Sequence, residues 1–87
     1  MDTDNKRSWV VISLTDEGQR LAASIIKIFP SPITHTHKPT PFSSTVQNLF
    51  TQGYGLIFVC ATGIVVRSLA AVIKSKHEDP PVLVLDE

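Results

Sequence analysis

The chain has 87 residues, of which 43% are hydrophobic and 18% charged, with eight basic residues balanced by eight acidic ones. This is the composition of one small globular domain, near the size at which a single core is marginal, and it excludes a disordered chain. The balanced charge, with no block of one sign, excludes the dominant positive field that nucleic acid or an anionic membrane surface requires, although a local cationic patch can still bind a small anion.

Residues 1–8 form a polar leader without the apolar centre of a secretory signal, and the lone Cys60 can make no intramolecular disulfide. The longest apolar run, about ten residues, is too short to cross a bilayer. A cytoplasmic location is therefore expected. Residues 9–14 (WVVISL) are β-branched and almost continuously apolar, the pattern of a strand buried on both faces. Thr15 is a good N-cap for the helix that follows, and Asp16 and Glu17 complement its dipole. Leu21, Ile25, Ile28 and Phe29 repeat with helical spacing and predict one buried face, which Pro30 and Pro32 terminate.

Residues 33–38 (ITHTHK) alternate and predict a short edge strand, followed by a Pro-rich loop. Ser44 and Gln47 have capping-box spacing ahead of an apolar stripe at Val46, Leu49 and Phe50, and Gly53 closes this helix. Residues 55–61 predict a strand, 63–74 a helix capped by Thr62, and 82–86 a last strand after a Pro-containing turn. The result is a β-α-β-α-β-α-β chain: a small three-layer α/β domain over residues 9–87, with a mostly parallel sheet of three to four strands and helices on both faces. The last strand has no helix after it, so the chain reads as an incomplete domain of a longer protein.

Ligands of open parallel sheets bind beyond the carboxyl ends of the strands, where the strand order reverses. For order 2-1-3-4, the crevice lies between the loops at Thr15-Asp16 and Thr62-Gly63-Ile64, with Asp86 ending the last strand. Gly63 admits a close approach to backbone, and the helix start offers outward N–H groups to phosphate or carboxylate. Arg67 and Lys74, placed seven residues apart on the expected helix, would add a cationic edge. The plainer alternative is a Thr cap, a packing glycine and two solvated cations. His35 and His37 would share one strand face, as two metal ligands would, but no third ligand is evident and the pattern favours an exposed edge-strand pair. Cys60 suits either a phosphocarrier nucleophile or an inert buried thiol, and the strand context favours the latter. No protein metal site is expected.

The residues ATGIVVRSLA, then Lys76, DPPV and a strand ending in Asp86-Glu87, resemble the N-terminal domain of the cobalt-precorrin-5A hydrolases, the cobalamin-biosynthesis protein G family. The family's pattern reads approximately A-T-G-I-V-V-R-x-[IL]-A, a Lys, and D-P-A-V before an apolar strand. It is matched here from Ala61 to Arg67, at Leu69, Ala70, Lys76, Asp79, Pro80 and Val82, and at the final acidic pair. Thr15, Gly18, Leu21 and Ala22 resemble its opening more loosely. Ala71 and Pro81 depart from it, and the family's following Gly- and His-containing segment and C-terminal domain lie beyond residue 87.

The resemblance implies anaerobic cobalamin synthesis: opening of the δ-lactone of cobalt-precorrin-5A with release of acetaldehyde. Thr15, Thr62, Gly63, Ile64, Arg67 and Lys74 would then hold tetrapyrrole carboxylates, with Asp16 or Asp86 as the general base. No separate cofactor is implied, because cobalt enters inside the macrocycle. The implied partners are the corrinoid intermediate, further copies of the chain, or other cobalamin-biosynthesis proteins. A non-catalytic anion-binding or assembly module is the alternative.

Overall fold

A computed structural model of the chain describes residues 8–74 and 79–86. Residues 1–7, Lys76 and Glu87, which entered the reading above, lie outside the described residues. The elements are β1 (Trp9–Ser13), α1 (Asp16–Ile28), β2 (Ile33–His37), α2 (Phe42–Thr51), β3 (Gly55–Val59), α3 (Thr62–Leu69) and β4 (Val82–Leu85). They form a four-stranded parallel sheet of order β2-β1-β3-β4. This is the α/β architecture expected from the alternation of apolar runs and helical patterns. Among the described residues, no helix is long and apolar enough to cross a membrane.

The two sheet faces carry separate cores. Val10, Ile12, Leu56 and Phe58 meet Val46 and Phe50 of α2 and Val65 and Leu69 of α3. On the opposite face Val11, Ile57 and Val59 pack against Ala22, with Trp9, Ile25, Ile26 and Phe29 around them. Because α1 is the helix on this second face, Leu83 and Leu85 of β4, in register with Ile57 and Val59, remain 51% and 42% exposed. An apolar groove of about 300 Å³ runs on the other side of β4, between it and Val66 and Ile73.

Three local expectations require correction. The buried stripe of α1 is Gly18, Ala22, Ile25, Ile26 and Phe29, whereas Leu21 and Ile28 are 43% and 81% exposed. Small residues at 18 and 22 let the helix backbone approach the sheet, and this sets its rotation about its own axis. Helix α2 begins at Phe42 with Pro41 as N-cap, so Ser44 and Gln47 form no capping box. Gln47 instead donates to the Ser68 carbonyl at 2.8 Å, and the Ser43 and Ser68 hydroxyls lie 3.3 Å apart, tying α2 to α3. Helix α3 begins at Thr62 itself, with Ala61 as its cap, and it ends at Leu69.

Candidate functional site

At the carboxyl end of the sheet, the loops after β1 and β3 are neighbours, because β1 and β3 are paired. In the first loop, Thr15 Oγ1 accepts the Gly18 N–H at 2.9 Å, as its N-cap position predicts, and Asp16 and Glu17 fill the exposed first turn of α1.

The second loop is organised from a distance. Ala61 has no side chain able to cap α3, and the carboxylate of Asp86 does so instead, accepting the Thr62 N–H at 3.2 Å and the Thr62 hydroxyl at 3.1 Å. The β3–β4 pairing, which sets Val59 against Leu85, carries Asp86 to that place. The Ile64 amide donates to the Ala61 carbonyl. A β-carbon on Gly63 would lie 3.6 Å from Arg67 Nη1, so the guanidinium folds back over the first turn of its own helix. A helix start, an arginine and a bound carboxylate are thereby gathered within one turn.

Lys74 is not part of this group. It follows the end of α3, and its amide donates to the Asp79 carboxylate at 2.7 Å. It lines a shallow cavity of about 160 Å³ with Phe50, Gly53 and Pro80, near the start of β3 at the opposite end of the sheet. Thr62, Gly63, Ile64, Arg67 and Asp86 are thus brought together, Thr15 and Asp16 occupy the adjoining loop, and Lys74 is remote.

Sequence reasoning missed a second polar group at the same end. Ser13, 0% exposed, places its Oγ 2.8 Å from His35 Nε2 and 2.7 Å from His37 Nδ1. Both imidazoles are half-buried, with ring centres 6.1 Å apart. They are therefore not an exposed edge pair. The pKa of His35 is lowered from the ordinary 6.5, by burial first and by the neighbouring His37 second. The signal in the sequence was a serine on the inward phase of a buried strand, a position that demands a hydrogen-bond partner. Among the described residues, no group of three or more His, Cys, Asp or Glu is arranged to hold a metal ion. Cys60 is a buried thiol.

The sequence profile of the family described as Cobalamin synthesis G N-terminal matches residues 44–87, half of the chain. Over its full length the chain is 33% identical to the cobalt-precorrin-5A hydrolase of Salmonella typhimurium strain LT2, and it spans 27% of the length of that relative. No solved structure matches it. The matched half contains β3, α3 and β4, the elements that bring Thr62, Gly63, Arg67 and Asp86 together, and the chain belongs to the cobalamin synthesis G N-terminal family.

Proposed function

We propose that this chain acts in cobalamin biosynthesis as the tetrapyrrole-binding part of a hydrolase that opens the δ-lactone of cobalt-precorrin-5A and releases acetaldehyde. Family membership supports the pathway, and the name of the Salmonella relative supports the reaction class. The observation that carries the binding role is the start of α3, where the Thr62 amide and hydroxyl already grip a carboxylate, that of Asp86. A corrinoid intermediate carries acetate and propionate carboxylates around its rim. The same chemistry of helix-start N–H groups and hydroxyl, with Arg67 close by, suits such groups. Cobalt belongs to the substrate and arrives within the macrocycle.

The test is an anaerobic titration of the chain with cobalt-precorrin-5A, followed by the corrinoid absorption spectrum. Arg67→Ala is expected to weaken binding by roughly 1–3 kcal/mol, the range for a charge-assisted hydrogen bond left unmade. Unchanged affinity in that variant would remove Arg67 from the site, and no spectral change with the unaltered chain would overturn the binding role itself.

A further inference from the structure

The cluster of Ser13, His35 and His37 has no part in holding carboxylates, yet it lies on the same edge of the sheet. Across the carboxyl ends, His37, Ser13, Val59 and Leu85 form one register row, one residue from each strand. Three interstrand steps of about 4.8 Å place the histidines roughly 14 Å from the β4 end, where Asp86 and the start of α3 meet. One large flat substrate lying over this edge can touch both groups.

The hydrogen count of the cluster constrains its chemistry. A serine hydroxyl has one proton to donate and lone pairs to accept with. Between two neutral imidazoles, Ser13 donates to the ring nitrogen of one and accepts an N–H from the other. The first imidazole then carries its own proton on its outer nitrogen, and the second shows a bare lone pair outward. Rotation of the hydroxyl together with tautomer exchange swaps the roles. The bridge therefore presents one outward acceptor and one outward donor at a time. Protonating both rings would place two cations on one buried oxygen, which burial and mutual repulsion oppose. The lowered pKa of His35 agrees with this.

We propose that His35 and His37, bridged by Ser13, are the acid–base pair for hydrolysis of the lactone, a role that rests on the tetrapyrrole reading above. The imidazole with the outward lone pair takes a proton from water as the water oxygen bonds to the lactone carbonyl carbon. The N–H of its partner supports the developing oxyanion. The bond from the carbonyl carbon to the ring oxygen then breaks, and the imidazolium returns its proton to that oxygen as it leaves. Lactone and water give a carboxylic acid and a hydroxyl group, with no net change at the pair. Acetaldehyde is then freed when the bond from the carbinol carbon to the macrocycle breaks, the hydroxyl becoming the aldehyde carbonyl and its proton passing to the carbon left behind. Asp86 is a poorer base because its carboxylate is engaged at Thr62, and Asp16 stands in an exposed helical turn. The charged groups on the elements around the pair are Asp16, Glu17, Arg20 and Lys27 of α1 and Lys38 just after β2. All are exposed.

The full chain is tested with cobalt-precorrin-5A in one anaerobic experiment that records corrinoid absorption for binding and acetaldehyde for turnover. In parallel, ring-nitrogen NMR follows both histidines from pH 5 to 8, with the fold of every variant checked in the same spectra. The expected result is binding within twofold of the unaltered chain for His35→Gln and His37→Gln, with acetaldehyde release lowered about 100-fold or more, the usual weight of general acid–base catalysis. Uptake of one proton by the pair over this range, replaced by two separate titrations in Ser13→Ala, is the matching NMR result. Binding without acetaldehyde from the unaltered chain would overturn the assignment and leave the binding role standing, as would release that neither substitution changes. Failure to bind corrinoid would overturn the tetrapyrrole reading and, with it, the lactone assignment. Independent titration of the two rings in the unaltered chain would overturn the bridge whatever the substrate.

Discussion

Gly55 lies opposite Trp9 in the β1–β3 pairing, and a β-carbon placed on it would sit 2.7 Å from the indole ring. The indole is itself held edge-on by Phe29, with ring centres 5.2 Å apart, so it has little freedom to yield. Gly55→Ala is expected to destabilise the chain by about 1–3 kcal/mol, the usual cost of overpacking, as measured by urea unfolding. A second residue sets a pH dependence. Because burial and His37 lower the pKa of His35 below 6.5, the folded chain takes up this proton less readily than the unfolded chain. Stability from this source is complete above about pH 6.5 and is lost as pH falls through the lower folded value. Urea midpoints should thus decline below that pH, and the decline should be smaller in His35→Gln. The composition of these sites was partly legible in the sequence: Thr15 announces itself as a cap. Asp86 and Ser13 do not, since their partners stand 24 and 22 residues away and come within reach only when the sheet forms.

At the scale of elements, all seven were readable from apolar runs and helical spacing, but their phases and ends were not. In α1 the four largest apolar residues at helical spacing suggested the buried face. The helix turns instead to bring Gly18 and Ala22 against the sheet. Ala22→Leu should therefore cost about 1–3 kcal/mol in urea unfolding. Leu21→Ser, on the outward flank, should stay within about 0.5–1 kcal/mol of the unaltered chain, and equal losses in the two variants would contradict this orientation. The end of α3 was overestimated for a related reason. Residues 70–74 are acceptable helix formers, yet Asp79 accepts the Lys74 amide, and the chain breaks toward β4. Local propensity yields here to a side-chain bond within the loop that follows the helix.

For the whole molecule, alternation made a mostly parallel sheet legible. The order 2-1-3-4 on which the crevice was read, one of the few that parallel strands with a helix in each connection leave open, is the order observed. The order puts two loops at one crevice, and this legible step located the start of α3 as a candidate site. What the order did not indicate was that the chain would deliver its own carboxylate there. Asp86 reaches Thr62 only when β4 is paired with β3, so α3 receives its cap from the last strand of the sheet. In the vocabulary of inhibition, Asp86 is a tethered competitor: it is present at high effective concentration and must be displaced before an outside carboxylate can take the Thr62 donors. Affinity measured on the unaltered chain is net of that displacement. Asp86→Ala should accordingly bind a corrinoid carboxylate more tightly while losing about 0.5–2 kcal/mol of stability with its cap. Titration and urea unfolding of one variant would thus move in opposite directions.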